Sequence, residues 1–318
     1  MNSGTEEQVP RAARDDKEIG RPERSEGPAL SVVSVVQQMA ELLRPSLGDE
    51  ALSEARELLA LIHDEPRHWP LVAGSEAITA TQSNAALFAA RRRASGAPIQ
   101  YAAGRAAFRH LTLDVDERVL IPRPETEQLV EIVLGLTSSQ RGGIAVDVGT
   151  GSGAIALALA TEGNFDQVIA TDLSLDALSV ARANAERYAA RTSARFELRH
   201  GSLLGPVHER GLRAVVSNPP YISFAEAAAL PASVRDWEPS VALFSASEGM
   251  ATTEQLIREA AGALVARGLL ALEVDMRRAI AVADFIRTLD AYDDVQVLPD
   301  LTGRDRFVVA RKTGGMNE

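Results

Sequence analysis

The run Val146-Asp147-Val148-Gly149-Thr150-Gly151-Ser152-Gly153 closes one apolar stretch and opens another, and its glycines are spaced Gly-x-Gly-x-Gly. Glycines in such a turn let the backbone bend sharply and bring its N–H groups against a ligand at a helix N-terminus. Dinucleotide binders favour Gly-x-Gly-x-x-Gly, so the spacing here implies a different nucleoside ligand. Asp172 ends the next apolar stretch, 19 residues past Gly153, where a carboxylate can accept from both hydroxyls of a ribose. These residue types suit S-adenosylmethionine better than NAD.

A second group lies downstream, where Ala214, Val215, Val216 and Ser217 run into Asn218-Pro219-Pro220-Tyr221. Consecutive prolines cannot donate to a β-ladder, so the strand stops there and Asn218 stands at the carboxyl end of its sheet, the edge at which open α/β sheets bind ligands. Its side-chain oxygen and a backbone carbonyl, held rigid by the prolines, are two acceptors for a planar nitrogen carrying two hydrogens. Such a nitrogen, in an amide or a nucleobase, is a weak nucleophile because its lone pair is delocalised. Acceptors on its hydrogens return density to it and aim it at a methyl sulfonium, so positioning and electrostatics carry the reaction. Asn218, Pro219 and Tyr221 are the candidate catalytic residues. Pro220 completes the substrate corner, and the Tyr221 ring offers a face to the planar group worth ~1 kcal/mol.

The elements that must hold these residues are legible in the periodicity. Residues 1–29 mix both charges with Gly, Pro and Ser and read as a disordered tail. Over 30–105 apolar residues recur at helical spacing (Val35, Met39, Leu42, Leu43; Ala55, Leu58, Leu59, Ile62), which predicts a small helical bundle. Phe108, Leu111, Leu113 and Val115 then alternate with polar neighbours, which predicts a β-hairpin linker over 106–124. Beyond it, over 125–318, strands at 144–148, 167–171, 195–199, 214–217 and 269–274 alternate with helices at 125–136, 154–161, 175–190, 252–267 and 277–289. That alternation predicts an α/β, Rossmann-like, mostly parallel sheet covered on both faces. Two last strands, 295–298 and 307–311, have only a turn between them, so an antiparallel edge is expected.

Composition removes several other chemistries. The chain has 318 residues, 46% hydrophobic and 24% charged, a globular composition long enough for more than one core. It has no Cys, which excludes disulfides, thiol nucleophiles and Cys-ligated metals. The five His (63, 68, 110, 200, 208) lack metal-ligand spacing, so no metal is expected. A net charge of −11 disfavours a surface built to hold a nucleic-acid backbone. No apolar run approaches the ~18–20 residues of a membrane span and the N-terminus lacks an apolar signal core, so a cytoplasmic protein without membrane contact is expected.

The glycine loop, Asp172 and the Asn-Pro-Pro-Tyr corner resemble a class I S-adenosylmethionine-dependent methyltransferase, specifically the HemK/PrmC type that methylates glutamine in peptide-chain release factors. Further segments are similar to that family: Pro98-Ile99-Gln100-Tyr101 with Gly104 and Phe108, Leu120 to Glu127, Arg235-Asp236-Trp237-Glu238-Pro239 with Ala242-Leu243-Phe244, and Asp300 to Arg306. The likeness covers about 35–312. It implies that Asp147, Val148, Gly149, Thr150 and Gly151 contact the methionine and ribose portions of the cofactor, and Asp172 the ribose. Ser202 and Leu203 would lie at the adenine, with Asn218 between cofactor and substrate. It implies that Asn218 to Tyr221 hold the substrate glutamine N5 in the Gly-Gly-Gln motif of class 1 release factors, that the N-terminal helices dock that protein, and that the enzyme is a monomer.

Two residues depart from the family's pattern. Ser202 stands where the family usually has an acid for the adenine amino group, which implies weaker adenine discrimination, and Asp275 replaces a usual glycine after Glu273. Glu125 and Glu127 suit the start of a helix and equally a place near the site. Arg123 suits a ligand carboxylate or an interdomain acid, and Trp237 a core or lid anchor. Glutamine methylation of a ribosomal protein, N6-adenine methylation of nucleic acid, and a non-enzymatic assembly role remain alternatives at this level.

Overall fold

The computed structural model describes residues 29–314; the tail expected at the N-terminus lies outside them apart from Ala29. Four helices of five or more residues come first, α1 (Val32–Leu47), α2 (Ala51–His63), α3 (Ala80–Ala94) and α4 (Ile99–Ala103), with a single helical turn at Trp69–Val72 between α2 and α3. Local chemistry sets their starts. The Ser31 side chain accepts from Ser34 N at 3.3 Å, and Thr79 with Gln82 forms a reciprocal capping box that begins α3. The stripe Val35, Met39 and Leu43 of α1 buries against Leu58 and Leu59 of α2 and Ala86 and Ala90 of α3. Each large side chain contributes roughly 1.5–3 kcal/mol, which no isolated helix of this length could supply.

A hairpin follows, β1 (Arg105–Phe108) paired antiparallel with β2 (Leu111–Asp114). Its inward residues Ala106, Phe108, Leu111 and Leu113 join the core of the α/β part, while Val119 to Ile121 run on without a strand partner. The rest of the chain is α5 (Pro124–Thr137), β3 (Ile144–Val148), α6 (Ala154–Glu162), β4 (Gln167–Asp172), α7 (Leu175–Tyr188), β5 (Arg195–His200) and β6 (Leu212–Ser217). After an irregular segment come α8 (Ala251–Ala263), β7 (Leu264–Glu273), α9 (Ala279–Arg287), β8 (Tyr292–Pro299) and β9 (Asp305–Lys312). The sheet order is β8-β9-β7-β6-β3-β4-β5. Strands β3 to β7 are mutually parallel, and β9 runs against both of its neighbours.

The central strands are buried on both faces, and one apolar cluster lies on each side of the sheet. This is why they read as continuous apolar runs rather than alternating ones. The chain leaves β3 toward β4 and β5, then crosses back to place β6 on the other side of β3. That reversal opens a crevice at the strand carboxyl ends, between the glycine loop and Asn218.

The helix expected to reach Arg267 ends instead at Ala263, and β7 starts at Leu264. Leu264 is already extended (ψ 145°), Arg267 adopts a left-handed φ of 64°, and the pairing with β6 shifts register there. Helical periodicity cannot foresee an irregular strand entry of this kind. The antiparallel hairpin expected at one edge is present, with β9 inside and β8 outermost.

Candidate active site

The glycine loop is shaped by left-handed backbone at Gly149 (φ 73°), Gly151 (φ 55°) and Gly153 (φ 86°), which side-chain-bearing residues rarely adopt. Gly149 N and Thr150 N both donate to Thr171 O, at 2.9 and 3.0 Å, so the loop folds across the end of β4. Gly151 N donates to Asp172 Oδ2 at 2.9 Å and Ser174 N to Asp172 Oδ1 at 2.8 Å. Each Asp172 oxygen therefore holds one backbone N–H and keeps a lone pair for a further donor.

Asp147 sits underneath. Its Oδ2 accepts from Thr150 Oγ1 at 2.6 Å and from Ala156 N at 3.1 Å, and burial pushes the carboxyl up to about 7.

A cavity of about 380 Å³ lies over the strand ends. Of the residues expected at a cofactor, Val148, Gly149, Gly151, Asp172, Ser202, Leu203 and Asn218 line it. Asp147 and Thr150 do not, because they bind each other and the start of α6 and so shape the loop from below.

Sequence reasoning missed two contributors to this cavity. Arg118, Val119 and Leu120 cross it as a strap, which Tyr101 OH holds by donating to Val119 O at 2.5 Å. An ion pair between Arg92 of α3 and Glu117 ties the same strap to the bundle. Gln255 of α8 lines the cavity with Ser202. Its amide nitrogen donates to Glu259 Oε1 at 2.9 Å, and Glu259 Oε2 accepts from Leu204 N at 3.0 Å. Only the spacing of Leu256, Ile257 and Ala260, which turn inward, hints that Gln255 faces outward from α8.

A smaller cavity of about 80 Å³ adjoins the first, lined by Arg123, Tyr221, Ile222, Val234 and Leu243, and it shares Leu120, Asn218, Pro219 and Ala242 with it. Asn218 thus borders both spaces. Ser217 Oγ donates to Val148 O at 2.6 Å, locking the two strand ends together. Asn218 Nδ2 donates to Thr126 Oγ1 at 3.2 Å, which leaves the side-chain carbonyl oxygen as an available acceptor. Tyr221 is partly buried and desolvation pushes its hydroxyl upward, so it stays protonated.

Arg123 makes an ion pair with the buried Glu238, at 2.6 and 2.7 Å, which matches the interdomain acid rather than a free ligand carboxylate. Trp237 packs against both the bundle and the α/β core, an anchor's position. Glu125 and Glu127 lie in the first turn of α5. No group of three or more His, Asp or Glu is arranged to hold a metal ion among the described residues.

The donor set suits S-adenosylmethionine. Asp172 retains lone pairs for hydroxyls, the glycine backbone approaches without side chains, and the cavity ends at Asn218, beside the smaller space. Fold and site define a class I S-adenosylmethionine-dependent methyltransferase.

Residues 125–231 match the family described as methyltransferase small domain. The release factor glutamine methyltransferase of Moorella thermoacetica is 44% identical over 219 residues, covering 69% of this chain and 76% of its own. That of Deinococcus radiodurans is 38% identical over 281 residues, covering 88% of this chain and 98% of its own. The chain belongs to the release factor glutamine methyltransferase family. Among solved structures, the hMettl16 catalytic domain in complex with MAT2A 3′UTR hairpin 6 shares the fold, with a TM-score of 0.50 at 16% identity over 74% of this chain and 82% of that one.

Proposed function

We propose that this protein transfers the methyl group of S-adenosylmethionine to the side-chain amide nitrogen of the glutamine in the Gly-Gly-Gln motif of class 1 release factors. The observation that carries this reading is Asn218, which borders both cavities with its amide nitrogen engaged and its carbonyl oxygen available. In the larger cavity Asp172 accepts from the ribose hydroxyls, and the loop Gly149 to Gly151 packs against the cofactor. Bound there, the cofactor supplies an activated methyl group on sulfonium.

In the smaller cavity the Asn218 carbonyl and a backbone carbonyl of the Pro219-Pro220 corner accept the two hydrogens of the substrate amide. This turns its lone pair toward the shared wall, and Tyr221 lies against the planar group. The cofactor would supply the methyl group to this nitrogen, the S–C electron pair leaving with sulfur as a neutral thioether, and the nitrogen's surplus proton would pass by way of its acceptors to water. Val119 and Leu120 cover the cavity and reduce water access. The reading carries with it a cytoplasmic monomer without direct nucleic-acid contact, in which residues 30–105 dock the release factor.

The test is peptide mass spectrometry after incubation of the protein and its Asn218→Ala variant with S-adenosylmethionine and a release factor. One methyl on the Gly-Gly-Gln glutamine is expected, falling at least a hundredfold in rate with the variant. Methyl on another residue, or none although cofactor binds, sinks the assignment and directs the assay to ribosomal proteins and then DNA.

A further inference from the structure

A carboxamide has nearly the same shape with its oxygen and nitrogen exchanged, and only the oxygen accepts a hydrogen bond. Catalysis through Asn218 therefore needs a device that holds the oxygen toward the substrate. Asn218 Nδ2 lies 3.2 Å from Thr126 Oγ1, and Thr126 Oγ1 lies 2.7 Å from Glu273 Oε2. Thr126, in the first turn of α5, and Glu273, the last residue of β7, are both buried.

A hydroxyl carries one proton. Ionised Glu273 is acceptor-only, so that proton is drawn to Oε2 and the Thr126 oxygen offers only lone pairs to its other neighbour. The NH2 end of Asn218 alone can satisfy them. We propose that Thr126 and Glu273 are positioning residues whose hydrogen-bond polarity holds the Asn218 carbonyl toward the substrate nitrogen. This rests on the reading of Asn218 given above.

The groups around Glu273 come from every neighbouring element: Arg306 of β9, Arg123 and Glu125 at the start of α5, and Tyr221 after β6. Burial outweighs the Thr126 hydrogen bond and the two arginines, and the carboxyl is pushed up to about 7. Below that pH a protonated Glu273 donates to Thr126. The Thr126 proton is then released toward Asn218, where it selects the flipped amide, and NH2 would face NH2. Turnover therefore rises with pH through about 7.

The experiment compares wild type, Thr126→Val, Thr126→Ser and Glu273→Gln in pH–rate profiles with a release factor, alongside S-adenosylhomocysteine binding. Thr126→Val is expected to lower kcat roughly ten- to hundredfold, the scale of a small misplacement, with cofactor affinity within about twofold and Thr126→Ser restoring most of the rate. Glu273→Gln keeps an acceptor oxygen, so it is expected to keep activity within about tenfold and to lose the limb near pH 7.

A second readout needs no turnover. The Asn218 side-chain NH2 resonances, assigned by their loss in Asn218→Asp, are expected to titrate near pH 7 in the wild type and stay flat in Glu273→Gln. A Thr126→Val enzyme with wild-type kcat, a limb that survives Glu273→Gln, or resonances unmoved between pH 6 and 8 overturns the relay. If those resonances titrate while the release factor gains no methyl, the relay stands and the substrate assignment falls.

Discussion

In the function proposed above, recognition of the adenine end of the cofactor would turn on single residues. The strand ends β6, β3, β4 and β5 lie side by side and carry Asn218, Gly149, Asp172 and Ser202 in that order, so the function proposed above would run the ligand from its methyl end at Asn218 to its base at Ser202. At the base end Ser202 offers one hydroxyl, and Gln255, its amide nitrogen spent on Glu259, offers a carbonyl oxygen to an exocyclic amine. Gln255→Ala is expected to weaken S-adenosylhomocysteine binding by ~1 kcal/mol, about fivefold, and to do so more than Ser202→Ala. Calorimetry giving the reverse order would assign the edge to Ser202. Ser202 was reached through the family resemblance, two residues past the end of β5, and the structure places it on the cavity. Gln255 was not legible in the sequence, because its face on α8 is set by the packing of Leu256, Ile257 and Ala260. The same limit applied to Asp147, whose place beneath the loop depends on where the Thr150 hydroxyl turns.

At the scale of elements, the alternating strands and helices were readable because each is long enough to display its period. The irregular segment after Tyr221 was not, since its helical turns are as short as Ala232–Arg235 and Ser240–Leu243. Long-range anchors hold it instead. Glu226 pairs with Arg277 at 2.5 Å and Arg278 at 2.7 Å, and Asp275 accepts from Arg277 Nε at 2.7 Å. Asp275 in place of glycine thereby organises the two arginines that reach this segment. Gly249 (φ 88°) packs against the Tyr221 carbonyl so closely that a Cβ there would overlap it. On the opposite wall, the strap is tied to the bundle by the Tyr101 hydroxyl and by the Arg92–Glu117 ion pair. Tyr101→Phe keeps the buried ring and removes the bond to Val119 O. The expected result is ~1 kcal/mol of lost stability together with a severalfold rise in KM for S-adenosylmethionine. Unchanged KM alongside that stability loss would show that the strap holds its place without the Tyr101 hydroxyl, on the Arg92–Glu117 ion pair and its own packing.

Over the whole molecule, the site's buried carboxyls set stability and activity in opposition. Asp147 and Glu273 are each pushed up to about 7, from ordinary values of 3.8 and 4.5, chiefly by desolvation. A folded-state pKa raised above the unfolded value stabilises fully below the unfolded value, and that contribution is lost as pH climbs through the folded one. At 1.36 kcal/mol per unit, each carboxyl removes roughly 3–4 kcal/mol between about pH 4 and pH 7, with a plateau above. His63, lowered by burial, works the other way below 6.5. Glu209, held at about 2 by Arg199, adds stability that disappears only in strong acid. Glu238, also raised by burial, adds to the same side, and these acids outweigh one histidine, so urea denaturation is expected to give a free energy that falls by roughly 3 kcal/mol or more from pH 5 to pH 7 and then levels. Asp147→Asn and Glu273→Gln are each expected to flatten part of that slope. A free energy that rises across the same interval would mean that neither carboxyl is desolvated as its burial implies. The fall in stability covers the range in which ionised Glu273 comes to orient Asn218, so the proton whose loss orders the site is one whose retention favours the fold.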